Sequence, residues 1–282
     1  MIKIVECPRD AMQGWKTFIH TDKKIAYLNT LLQVGFDTLD CGSFVSPKAI
    51  PQMADTAEVL NQSNYSNSKT KLLVIVANLR GAEEAVRFEQ VHYLGFPFSI
   101  SETFQQRNTN STIEESLVRV EAIQTLCIQY NKQMVVYLSM GFGNPYGDAY
   151  SAEILLLWAN EIVSRGIRII SLADTVGLAT PQQITTALET LVPKYPQVEF
   201  GLHLHSSPQN WQAKFKAALQ AGCIRFDGAI NGIGGCPMAG DALVGNMNTQ
   251  WMIEYLQGNE YDLSIDKPAL SNAIELAQNT FV

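Results

Sequence analysis

Eight short segments rich in β-branched and aromatic residues recur along the chain, each followed by a stretch of helical length. They are Ile2–Cys7, Thr38–Gly42, Leu72–Ala77, Val91–Ile100, Met134–Ser139, Ile167–Ala173, Glu199–His205 and Arg225–Ile230. The 282 residues allot about 35 to each unit, close to the repeat of a (β/α)8 barrel. The rival is an open doubly wound sheet, which usually carries GxGxxG after its first strand. Here the first strand runs into Cys7-Pro8-Arg9-Asp10. No shift of composition marks a second domain. The α/β reading is therefore a single TIM-barrel domain over 1–282, with an additional C-terminal helix.

The helical stretches carry their own punctuation. Thr21 to Val34 opens on Thr-Asp, a cap candidate, and ends at Gly35. Ser111 to Tyr130 opens on Ser-Thr-Ile-Glu-Glu, the pattern of a capping box. Ser151 to Ser164 stops before Gly166, Thr180-Pro181 starts a helix with proline in its first turn, and Asn210 to Ala221 ends at Gly222. The last helix, Pro268 to Phe281, is expected to pack across one barrel face.

A net charge of −7 argues against nucleic acid, whose binders need a basic face. Apolar runs such as Ile154 to Ala159 fall far short of the roughly 20 residues of a membrane span. Met1 to Asp10 lacks the apolar core of a signal peptide. Five cysteines without a CxxC pair fit a reducing compartment, and the cytoplasm is the expectation.

Chemistry concentrates where a closed barrel brings its last strands beside its first. Side chains alternate along a strand, so His203 and His205 share a face and Leu204 takes the other. Two imidazoles at a strand end suit a divalent metal. Asp10, ending strand one, would lie across the mouth from them. A carboxylate and two imidazoles leave positions open for substrate, and the mixed donors suit Mg²⁺ or Mn²⁺ as well as Zn²⁺. Arg9 would hold an anion or a developing enolate oxygen. Cys236, between Gly-Gly and Pro on the loop after strand eight, is a candidate functional thiol. Asp174 follows strand six and reads equally as a proton-transfer group or a helix cap. Asp40 and Ser43 close strand two. Lys16, Lys48, Arg80 and Arg107 are the candidate phosphate contacts at the rim.

Together these segments resemble hydroxymethylglutaryl-CoA lyase, of a metal-dependent barrel group that includes isopropylmalate and homocitrate synthases. The matching runs are Ile4-Val5-Glu6-Cys7-Pro8-Arg9-Asp10-Ala11-Met12-Gln13, Ser43-Phe44-Val45-Ser46-Pro47-Lys48, Asn78-Leu79-Arg80-Gly81, Ser101 to Asn108, Ser171 to Gly177, His203-Leu204-His205 and Gly232-Ile233-Gly234-Gly235-Cys236-Pro237. The resemblance implies metal ligation by Asp10, His203, His205 and Asn246. It also implies an electrophilic Arg9, a functional Cys236, an active-site acid at Asp174, and Gln13 and Thr175 lining the site. It further implies a homodimer or larger assembly and a role in leucine breakdown. The chain departs from the family pattern at Asp40, where glutamate is usual. It departs again at Ser206, where aspartate usually follows the second histidine, and at Met238, where an aromatic usually follows Cys-Pro. The run from Cys236 to Asn246 is one residue longer than usual, and the segment before Arg9 one shorter.

The resemblance implies retro-Claisen cleavage of 3-hydroxy-3-methylglutaryl-CoA to acetoacetate and acetyl-CoA, with His203, Asp10 or Asp174 as base. Three alternatives stand beside it: a related acyl-CoA lyase, a Claisen-type synthase, and a non-catalytic relative that binds CoA esters. A synthase usually needs a further C-terminal region and Gly-Glu-Gln after Arg-Asp, against Ala11-Met12-Gln13 here.

Overall fold

The computed structural model describes residues 1–235 and 245–282. Eight parallel strands close into a barrel in chain order. They are β1 (Lys3–Glu6), β2 (Thr38–Ser43), β3 (Lys71–Ile75), β4 (Val91–Ser99), β5 (Gln133–Ser139), β6 (Ile169–Ala173), β7 (Glu199–His203) and β8 (Arg225–Gly228). Closure is made by β8 on β1, in register from Lys3 opposite Arg225 to Glu6 opposite Gly228. The barrel expected from the sequence is therefore present, with every strand within a few residues of its anticipated bounds.

Strand alternation sorts the core into two layers. Outward residues such as Leu72, Val74, Leu94, Phe96, Val136 and Ile170 pack under the helices in one large cluster. Inward residues Leu73, Ile75, Tyr93, Val135, Tyr137 and Ile169 form a separate cluster inside the barrel. The inner layer turns polar toward β6–β8. The ladders set Tyr137 beside Ser171, Ser171 beside Gly201, and Gly201 beside Arg225. A barrel interior is ordinarily filled by branched apolar side chains. Here part of that volume is taken by Arg225, which is fully buried and lies over the Tyr93 ring.

The helices follow their sequence signals closely. The helix α6 (Ile113–Gln129) starts with the expected capping box, made by Thr112 and Glu115. A second box, Thr180 with Gln183, starts α8 (Pro181–Lys194). Ser151 caps α7 (Ala152–Ser164) through the Ile154 N–H. The Thr-Asp signal before α2 (Thr21–Leu31) works differently. Thr21 is already helical, His20 stands at the cap without a side-chain bond, and the Thr21 hydroxyl donates to Asp55.

The final helix α11 (Lys267–Thr280) is placed beside α2 in the outer ring rather than across a face. Its start meets the end of α2, where the Asp266 N–H donates to the Val34 carbonyl. Its end meets the start of α2, where Phe281 packs edge-on against Tyr27 and Trp15. Among the described residues no helix is long and apolar enough to cross a membrane.

Candidate metal centre at the barrel mouth

The first strand delivers its functional residues on a turn of helix. Pro8 pre-sets the backbone for α1 (Pro8–Gln13), and its turn puts Gln13 four positions after Arg9 and three after Asp10, within reach of both. Arg9 Nη1 donates to Asp10 Oδ1 at 3.1 Å and to Gln13 Oε1 at 2.8 Å. Gln13 Nε2 donates to Asp10 Oδ1 at 2.7 Å. Arg9 Nε donates to both oxygens of Asp40, at 3.1 and 3.0 Å, and Nη2 also bonds Asp40. A guanidinium has five N–H groups. These contacts occupy four, and one N–H of Nη2 remains for a ligand.

The histidines come from β7 and the residues just beyond it. His203 ends the strand, and His205 begins a two-residue antiparallel ladder in which it pairs with Asn246. Their rings stay close, with centroids 5.4 Å apart. One ligand-type atom from each of Asp10, His203 and His205 lies within 4.8 Å of the others. Asn246 joins them, its Nδ2 donating to Asp10 Oδ2 at 2.6 Å and to the Ile233 carbonyl at 2.9 Å. His205 Nε2 and Asn246 Oδ1 are buried and have no hydrogen-bond partner. Such orphaned acceptors cost free energy unless something binds them. Carboxylate, imidazole and amide oxygen together make a donor set that fits a divalent cation.

The glycine-rich segment after β8 explains how Asn246 reaches the group. Gly234 has φ +97°, and a Cβ there would lie 2.7 Å from Asn246 Nδ2 and 2.9 Å from the Asp10 carbonyl oxygen. The backbone must pass that close, so the position needs glycine. Cys236 and Met238 lie outside the described residues.

Burial and charge set the protonation of the site. Burial raises the Asp10 carboxyl, but Arg9, His203 and the Asn246 amide outweigh it, leaving it below the usual range. Burial pushes Asp40 up to about 6 against the pull of Arg9, so it is ionised at neutral pH. Burial opposes the charge on Arg9, yet Asp40 and Asp10 hold it protonated. Burial lowers His203, but its bond to Asp227 reverses the sign and raises it. His205 falls to about 4 through burial and the neighbouring His203, so its ring is neutral. A neutral imidazole is the form that binds a metal.

Arg9, Asp10, Gln13, His203 and His205 line a cavity of about 520 Å³ with Thr175, Ser139, Tyr137 and an apolar wall of Val45, Ala49, Ile50, Ile75, Pro97 and Phe104. Gln13 and Thr175 both face this cavity, and the Thr175 hydroxyl accepts from the Met140 N–H at 2.8 Å. Of the four candidate phosphate contacts only Arg107 lines this cavity, stacked on Tyr146 at 4.6 Å. Ser43 is buried off the wall, its hydroxyl accepting the Val45 N–H. Ser206 donates to the Met247 sulfur at 3.6 Å.

Asp174 also lies off the wall. Its Oδ2 takes the Lys214 ammonium at 2.7 Å and its Oδ1 the Ala179 N–H at 2.9 Å. Lys214 bonds the His205 carbonyl as well, at 2.8 Å, so the pair ties the loop after β6 to the segment that carries His205. Lys214 was invisible in the sequence, as one lysine on an amphipathic helix. Lys214→Met strands a buried carboxylate and is expected to cost about 3–5 kcal/mol, measured by denaturant unfolding.

Glu6 anchors both flanks of the loop segment. It accepts the Ile230 N–H at 2.8 Å and the Thr249 hydroxyl at 2.6 Å. Burial, opposed by these bonds, moves its carboxyl from 4.5 to about 8. Between those values the unfolded chain has released a proton that the fold retains. The contribution of Glu6 is therefore complete below pH 4.5, declines as pH rises, and is gone above about 8. Glu6→Gln is expected to flatten the fall in melting temperature over this window; an unchanged slope would contradict it.

The HMGL-like family model matches residues 2–276. The cytoplasmic 3-hydroxy-3-methylglutaryl-CoA lyase of Rattus norvegicus is 35% identical over 266 residues, covering 94% of this chain and 77% of that protein. The hydroxymethylglutaryl-CoA lyase YngG of Bacillus subtilis is 32% identical, covering 94% and 88%. The HMG-CoA lyase structure from Bacillus subtilis superposes with a TM-score of 0.93 at 29% identity, covering 99% and 93%. An HMG-CoA lyase from Acinetobacter baumannii, in complex with coenzyme A and 3-methylmalate, gives 0.91 at 30%, covering 100% and 91%. Fold, site and likeness define a TIM-barrel enzyme of the carbon–carbon lyase class. The chain belongs to the HMGL-like family, that of the hydroxymethylglutaryl-CoA lyases.

Proposed function

We propose that this enzyme cleaves 3-hydroxy-3-methylglutaryl-CoA to acetoacetate and acetyl-CoA by a retro-Claisen reaction dependent on Mg²⁺ or Mn²⁺. The observation that carries the reading is the meeting of Asp10, His203 and His205 beside Arg9 on the wall of one cavity. Asp10, His203, His205 and Asn246 would hold the cation. When bound, it supplies Lewis acidity that lowers the pKa of an alcohol beside it.

The remaining steps fall to the chain's own groups. Arg9 offers its spare Nη2 N–H to the thioester oxygen, where charge develops as the C2–C3 bond breaks. Asp40 and Gln13 fix the guanidinium for that task. Of the candidate bases, Asp10 and His203 lie on the wall, while Asp174 serves as a positioning residue through Lys214. Cys236 is assigned to assist protonation of the enolate carbon. The apolar wall excludes water from that intermediate.

A larger acyl substrate is a second reading, favoured by the apolar wall around Ile50, Ile75 and Phe104. A 32% identical relative from Pseudomonas aeruginosa is a 3-hydroxy-3-isohexenylglutaryl-CoA/hydroxymethylglutaryl-CoA lyase. A cytoplasmic homodimer acting in leucine degradation completes the proposal. Release of acetyl-CoA from each ester, with and without Mg²⁺ or Mn²⁺, tests both substrates, the methyl ester also giving acetoacetate and the isohexenyl ester the longer 3-oxo acid. Absence of cleavage in metal-supplemented enzyme overturns the reading. Cleavage of the isohexenyl ester alone would favour the second.

A further inference from the structure

Beneath the metal centre lies a carboxylate that none of the steps above uses. Asp227 stands on β8 with its side chain fully buried. The β7–β8 ladder pairs it with His203, and both face the barrel interior. Asp227 Oδ2 lies 3.2 Å from His203 Nδ1. Tyr137 meets the same imidazole edge-on, with ring centroids 5.9 Å apart. The ring is thus gripped on one edge by a carboxylate and braced by an aromatic plane.

An ionised carboxylate can only accept hydrogen bonds. A proton on Nδ1 would make this contact a hydrogen bond and leave the lone pair of the neutral ring at Nε2. We propose that Asp227 is a positioning residue: it holds His203 as the Nδ1–H tautomer and turns Nε2 toward the cation. The proposal rests on the reading of Asp10, His203 and His205 as metal ligands. A carboxylate behind a ligating histidine fixes ring and tautomer and strengthens the donor, and its loss typically costs 10–100-fold in metal affinity.

Cys7, His203 and Asp227 also lie within 4.8 Å of one another, which would put a cation at Nδ1 instead. The Cys7 thiol is directed elsewhere, to the Val5 carbonyl at 3.7 Å. Asp227 was passed over in the sequence because an acid inside a strand reads as an edge or surface residue. Its signal was register: β8 places it directly opposite the first histidine.

Two measurements on the full chain decide the matter. In protein labelled with ¹⁵N-histidine at pH 8.5, the His203 resonances, assigned by their loss in His203→Gln, are expected to report Nδ1–H. Nε2–H in the unsubstituted protein overturns the proposal without need of a variant. Titration with Mn²⁺ is then expected to show binding about 10–100-fold weaker in Asp227→Asn, with partial recovery in Asp227→Glu. An unchanged affinity in folded Asp227→Asn also overturns it. Failure of the unsubstituted protein to bind Mn²⁺ would remove the metal reading instead, and the tautomer would still decide whether Asp227 sets the ring.

Discussion

Replacing His203 with alanine is expected to abolish most Mn²⁺ retention and to lower turnover by about 10³-fold, since a metal's Lewis acidity supplies several kcal/mol. The size follows from the geometry. His203 is one of three groups whose donor atoms lie within 4.8 Å, and Asn246 reaches the group through Asp10. Deleting the imidazole also leaves Asp227 buried without its partner. Elemental analysis of purified protein and an acetoacetate assay check both effects. An active, metal-replete variant would remove His203 from the ligand set.

Arg9→Gln is expected to reduce turnover by about 10²–10³-fold, as losing one preorganised donor to a developing oxyanion does. The structure adds a second consequence. Arg9 also bonds Asp10 and helps hold that carboxyl below its usual range. The candidate ligands all remain in this variant, so metal retention should fall far less than in His203→Ala. Asp40 loses its partner too, so the melting temperature should fall. Steady-state kinetics at saturating Mn²⁺ separate these effects. Normal turnover under those conditions would exclude Arg9 from the chemistry.

The barrel was legible because strand and helix periods differ and each unit carries its own caps and glycines. Thr112 with Glu115 and the Thr180-Pro181 helix start are local signals, and both act as read; the box that Thr180 makes with Gln183 is an addition of the structure. The HxH spacing was legible for the same reason, since two residues on one strand share a face. What the sequence withheld was pairing between distant residues. Lys214 looked like a solvated helix position until Asp174 met it inside the fold. Glu6 sits on the outward side of β1, and only the return of Ile230 and Thr249 gives its carboxyl partners. Arg225 breaks the expected apolar filling of the barrel, an exception that composition cannot locate. The placement of α11 was missed because its amphipathic pattern suits any apolar surface, and α2 supplies one.

The bond from Asn246 to Asp10 joins positions 236 residues apart. During synthesis the residues through Asn246 must therefore leave the ribosome before the four candidate ligands can meet. An ion that binds the native state alone adds RT ln(1 + [L]/Kd) to its stability. Chelation of the proposed cation should accordingly loosen the segments that carry Asp10 and Asn246 first, and a product that stops short of Asn246 should lack that reinforcement.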